Sequence, residues 1–172
     1  IPVRYQDGGT GTIYGKARFS LPNDEVTMMR LHKDFRTNRG VANKLVKSVV
    51  EEAMNLTAGL MTSEDAYAVK RATFTDWAQQ QIDNGKFITK LEEVHVKEEG
   101  VDGVVAKNIP VIVYGEDGLP KTYPSDLSDY GIQLTGFQIT DWDFEPKTLE
   151  QIASKRKATM AIITAKAEAE QA

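Results

Sequence analysis

The chain has 172 residues, 41% of them hydrophobic and 27% charged, with a formal net charge of −4 and no cysteine. That composition belongs to a folded polypeptide, long enough for one domain with its own core and an appendage, and excludes a disordered one. The acidic balance argues against general nucleic-acid binding, and the missing cysteines exclude disulfides, thiolate metal sites and cysteine nucleophiles.

Residues 1–10 start strand-like at Val3 and Tyr5 and break at the turn signal Asp7-Gly8-Gly9. Residues 11–21 then alternate. Ile13, Gly15, Ala17, Phe19 and Leu21 point one way, while Thr12, Tyr14, Lys16, Arg18 and Ser20 point the other. That pattern predicts a half-buried antiparallel strand. Pro22-Asn23-Asp24 turns the chain into a short helix over 25–32, capped by Asn23 or Asp24. A basic cluster follows: Arg30, Lys33, Arg36 and Arg39, with Leu31, His32 and Phe35 interleaved. It could lie against anionic headgroups. Asp34 dilutes it, and a solvated loop between two helices is the plainer reading.

Residues 41–56 form the clearest amphipathic helix. Val41, Leu45, Val49 and Ala53, widened by Val46 and Val50, make the dry face opposite Asn43, Lys44, Lys47, Ser48, Glu51, Glu52 and Asn55. A second helix begins at the capping signal Thr62-Ser63-Glu64-Asp65 and stops at Asn84-Gly85. Its buried side uses Ala66, Tyr67, Phe74, Trp77, Ala78 and Ile82.

From 87 to 123 the pattern turns to strands, over 91–96, 101–107 and 109–114. They are separated by Glu99-Gly100, by Asn108 and by the turn Gly115-Glu116-Asp117-Gly118. A surface β-hairpin insertion is the simplest account. After Tyr130-Gly131-Ile132, the run to Trp142 carries β-type residues in period two. Phe144-Glu145-Pro146 then opens a helix over 147–172, with Pro146 suited to its first turn.

No catalytic motif completes: G-x-S-x-G, the P-loop and H-E-x-x-H are all absent, and His32 and His95 lack ligand-like spacing. The sharpest acidic group is Asp141, Asp143 and Glu145, which share one face of a strand and could converge on a hard cation. The pattern is broken where an EF-hand needs glycine, because Pro146 stands there. A solvated strand edge, with Glu145 favouring the dipole of the next helix, is the competing account. No cofactor is implied. No window approaches the roughly 20 apolar residues that span a bilayer.

The last helix carries the functional expectation. Counting four and three alternately from Leu149 gives Ala153, Arg156, Met160, Ile163, Ala167 and Glu170. This seam is small or apolar apart from Arg156 and Glu170, which suits ranks of helices better than a two-stranded zipper. Leu149, Ile152, Arg156, Met160 and Ile163 are the expected interface, and docking of the helix on its own domain is the rival.

Three stretches resemble the end of the SPFH or band 7 domain (stomatin, prohibitin, flotillin, HflK/C). They are Tyr130-Gly131-Ile132, Pro146-Lys147-Thr148-Leu149 and Ala167-Glu168-Ala169-Glu170-Gln171-Ala172. The likeness extends to the strand over 11–21 followed by Pro22 and to the helical stretch 40–85. The 87–123 stretch departs from the short connection usual in that family. The resemblance implies a non-catalytic, membrane-associated scaffold that forms homo-oligomeric rings or cages. These bound a patch of membrane lipids and hold membrane-protein clients such as an AAA protease. Such proteins carry a membrane segment just before the domain, and a chain opening at Ile1-Pro2 and stopping inside a helical pattern reads as an excised piece.

The expectation is therefore α+β. A mainly antiparallel curved sheet with packed helices fills residues 1–146, and a protruding helix begins an assembly segment at 147–172. A soluble coiled-coil module without a membrane role and a divalent-metal protein remain the alternatives.

Overall fold

The first strands of the chain meet its last strand in one sheet. The computed structural model describes residues 1–97 and 103–171. In it, β2 (Thr10–Ser20) lies antiparallel between β1 (Pro2–Arg4) and β5 (Gln133–Phe144). The fold class is α+β with antiparallel sheets and a C-terminal helix, as expected.

The inward residues of β2 keep strict alternation, but those of β5 do not. Opposite Gly11, Ile13, Gly15, Ala17 and Phe19 stand Phe144, Trp142, Ile139, Phe137 and Leu134. The register skips Thr140 and Thr135, so two bulges flip the parity of β5 twice. Period two over 132–142 therefore holds only in segments. The bulges are what keep five apolar side chains on one face.

α1 (Glu25–Phe35) is capped by Asp24, whose carboxylate accepts the Thr27 amide at 2.9 Å, and it runs one turn further than expected. The next helix is continuous through α2 (Asn38–Gly40), a π-helical turn (Val41–Val46) and α3 (Lys47–Gly59). Its dry face is the expected one, extended by buried Met54, Thr57 and Ala58.

The single helix expected over 62–84 is two. α4 (Ser63–Ala68) closes when the amides of Val69 and Lys70 both donate to the Asp65 carbonyl, and α5 (Arg71–Asn84) restarts beyond. The break leaves Tyr67 on the surface while Phe74, Ala78 and Ile82 enter the core.

β3 (Thr89–Lys97) and β4 (Val104–Ile112) pair antiparallel as a separate two-stranded sheet. β4 runs unbroken through Asn108, where the sequence suggested two strands. The expected turn at Glu99-Gly100 and the start of the 101–107 strand lie outside the described residues. At the base of the hairpin, Ile88 donates to the Lys121 carbonyl and Tyr123 to that of Lys86, both at 2.8 Å.

α6 (Asp126–Asp129) then leads into Tyr130-Gly131-Ile132, which precedes the strand rather than forming it. Gly131 takes φ +68, a left-handed turn suited to glycine. Tyr130 donates to Asp34 at 2.7 Å and stacks beneath Arg30, while Ile132 is buried.

A buried polar chain ties α3 to α5 and to the hairpin base. Gln81 donates to Thr57 Oγ1 at 2.8 Å, Thr57 donates to the Ala53 carbonyl at 2.7 Å, and Gln81 Oε1 accepts the Phe87 amide at 3.2 Å. Gln81→Leu keeps the volume but leaves that amide unpaired. We expect a loss of about 1–3 kcal/mol, measured by urea unfolding; unchanged stability would show that the chain is not structural.

Candidate assembly surface

α7 (Pro146–Gln171) is held at its root by the turn between β1 and β2. The Asp7 carboxylate accepts from the Gly9 amide at 3.1 Å and from the Ser63 amide and hydroxyl at 3.2 and 2.7 Å. This staples the turn to the start of α4. Gly9 fits closely, because a Cβ there would come within 2.9 Å of both Ser63 and Thr148. Thr10 then donates its amide to Thr148 Oγ1 at 3.1 Å and accepts the Glu145 amide at 3.1 Å. Leu149 donates to the Glu145 carbonyl at 3.0 Å, and with Pro146 in the first turn the helix starts as expected.

Aromatic rings brace the same root. Tyr5 stacks on Phe144 at 5.5 Å, and Tyr67 meets the same ring edge-on at 5.5 Å. Phe74 meets Trp142 edge-on at 4.8 Å. Arg71 lies over Trp142 and Tyr67, and Arg156 reaches back over Tyr67 at 5.2 Å. Burial pushes the Tyr5 hydroxyl up to about 12, against an opposing pull from Arg71.

These contacts redistribute the expected interface set. Ile152 is 3% exposed and packs in the domain's core with Phe144 and Ala66, so its side chain is not part of a free face. Arg156 is exposed and engaged with Tyr67. Leu149 is partly covered, whereas Met160 and Ile163 are 63% and 56% exposed. From Ala153 to Gln171 every residue is exposed. The helix thus docks by its first two turns and then leaves the domain. The sequence pattern set assembly against docking of the helix on its own domain, and the root of α7 does dock there.

Asp141, Asp143 and Glu145 are exposed, and the Asp141 carboxylate accepts the amide of Trp142 at 2.9 Å. Among the described residues no group of three His, Asp or Glu is placed to hold a metal ion. In the basic cluster Arg30 is paired with Asp129 at 2.6 Å, Leu31 is buried, and Phe35 packs edge-on against Tyr130. Lys33, Arg36 and Arg39 remain on the surface, as do His32 and His95. Among the described residues no helix is long and apolar enough to cross a membrane.

Asp7, Ser63, Tyr67 and Thr148 were the residues missed as a group. Each carried a local signal (a turn, a cap, an apolar face, a helix start), but nothing in their spacing says that they meet.

Two outcomes follow for the root. Thr148→Val leaves the Thr10 amide unpaired and should cost about 1–3 kcal/mol, read as a lower Tm without loss of the α7 helical signal. Tyr5 ionises near 10.0 when unfolded and near 12 when folded. Its contribution to stability is complete below the unfolded value and is lost as pH rises through that window. Tyr5→Phe should flatten the decline seen in alkaline denaturation curves; an equally steep decline would show that another group causes it.

No curated protein and no solved structure matches the chain. The family model for the SPFH domain / Band 7 family matches residues 1–172. Proteins of that family are generally membrane-associated and non-catalytic. The chain belongs to the SPFH domain / Band 7 family.

Proposed function

We propose that this protein is a non-catalytic, membrane-associated scaffold whose copies assemble side by side through α7 into rings or cages. The observation that carries the reading is the exposed shaft of α7, from Ala153 to Gln171. Met160 and Ile163 lie on one flank. Ile162, at 58% exposure, lies two residues from Met160 and so on the opposite side, because successive helix residues turn by about 100°. A helix with apolar residues on both flanks suits two neighbours better than one partner. Heterologous contacts repeated around an axis close into rings when the rotation permits.

Leu149, Met160 and Ile163 form one side of the proposed interface, with Arg156 at its root and Ile162 facing the next copy. Family membership supports a location at a membrane, where such an assembly bounds a lipid patch and holds partner membrane proteins, an AAA protease being one kind of client.

Met160→Glu with Ile163→Glu should reduce self-association while the domain keeps its thermal transition, because neither residue touches the core. Ile162→Glu alone should also block assembly beyond a pair, since it damages the other flank. Sedimentation velocity reads both. Unchanged sedimentation of the double variant would overturn assembly through this helix.

A further inference from the structure

The face of the β2–β5 pair turned away from the helices carries both signs of charge, one at each end. The register sets its side chains in four successive rows: Thr12 beside Asp143, Tyr14 beside Asp141, Lys16 beside Gln138, and Arg18 beside Gly136. The first two rows are acidic and the last two basic. Tyr14, Lys16, Arg18, Gln138, Asp141 and Asp143 are all exposed. Neighbours of opposite sign on one sheet face attract, yet among the described residues Lys16, Arg18, Asp141 and Asp143 enter no ion pair. Nor do the carboxylates gather a cation site among those residues. Both charges are left unanswered within the chain.

The relief of the face is as uneven as its charge. Tyr14 stands up in the second row, half exposed. Gly136 has no side chain, and the stem of Arg18 lies beside it, 3.8 Å from where a Cβ would stand. The basic end is therefore low and the acidic end carries the one large ring.

We propose that two copies of this chain pack back to back through this face, about a two-fold axis running across the strands. A two-fold contact applies one surface to itself, so the surface must complement itself. With the axis between the second and third rows, the first row of one copy meets the fourth row of the other, and the second meets the third. Asp143 then faces the hollow at Gly136 with Arg18 at its side, and Asp141 faces Gln138 beside Lys16. Tyr14 lies on the stem of Lys16. An axis along the strands would set acidic rows against acidic rows, which the charges oppose. Arg4 and Glu145, beside Thr10, lie one step beyond the acidic rows and meet Ser20 and Gln133 at the rim. Ion pairs at a wet surface add little affinity but fix orientation; the apolar contact comes from Tyr14. The interface uses no residue of α7 and is independent of assembly through the shaft.

The chain has no cysteine, so a single introduced one reports the contact. Gln138→Cys would bring two thiols to about 10 Å across the axis, from the spacing of stacked sheets and of alternate residues. A short bismaleimide should link copies of that chain, in a Met160→Glu, Ile163→Glu background that removes the α7 seam, and about 0.5 M salt should weaken the linking. Lys16→Glu with Arg18→Glu makes the face wholly acidic, and Asp141→Lys with Asp143→Lys makes it wholly basic. Each pair alone should cut linking at least about tenfold, and an equal mixture of the two should restore it. Gly136→Trp keeps every charge and meets only ordinary contact within its own copy, but props the faces apart. It should abolish linking of the mixture, which separates a fitted contact from bulk attraction between opposite charges. None of these side chains is buried, so all variants should keep the parent's thermal transition. Absence of linking in the parent, linking that neither reversal changes, or a mixture that stays unlinked overturns the proposal.

Discussion

The pairing of β2 with β5 is the constraint on which the rest of the molecule depends. It joins residues near the start of the chain to residues more than a hundred positions later, and all the helices before α7 and the hairpin hang between them as one long excursion. Closing so long a loop costs entropy that grows only slowly with length, but local contacts cannot recover it. The recovery comes from the shared inward face. Ile13, Trp142 and Phe144 pack with Met54, Phe74 and Ala78 from the helices. Leu134 and Phe19 meet Leu31 and Val46 at the other end. Without the two bulges, Phe137 and Ile139 would point away from the face that Leu134, Trp142 and Phe144 share. The bulges at Thr140 and Thr135 are therefore a condition of the core as well as a local irregularity.

This explains which parts of the molecule were legible in the sequence. The alternation of β2, the dry face of α3, the Asp24 cap and the Pro146 start are local patterns, and each was found where it was expected. The resemblance to the family rested on Tyr130-Gly131-Ile132 together with Pro146-Lys147-Thr148-Leu149 and the Ala-Glu run from Ala167, and the structure gives the first three residues separate tasks: pinning α1, making a left-handed turn and entering the core. The break at Val69 and Lys70 was not legible, because a helix pattern continues through it and only tertiary packing separates Tyr67 from Phe74. Nor was the fate of Ile152. On a helical wheel it borders the seam of Leu149 and Met160, and only the position of Phe144 assigns it to the interior.

The root and shaft of α7 obey different physics. The root is over-determined by Thr10, Thr148, Ile152 and the ring contacts of Tyr5, Phe144 and Tyr67. The shaft, from Ala153 to Gln171, reaches back to the domain through Arg156, which lies over Tyr67, and is exposed along its whole length. Its direction is set by that root. Such an arrangement lets the domain aim an exposed helix away from its core.

The β3–β4 arm has a consequence of its own. A two-stranded sheet presents two unpaired edges, and exposed edges are templates on which further chains add and fibrils start. Here β3 carries Lys90, Glu92 and Glu93, while β4 carries Lys107 and, towards its end, Pro110, which cannot donate an amide. Charge and proline together make both borders poor seeds. At the crowded local concentrations of any assembly, that difference separates an arm that stays soluble from one that nucleates aggregation.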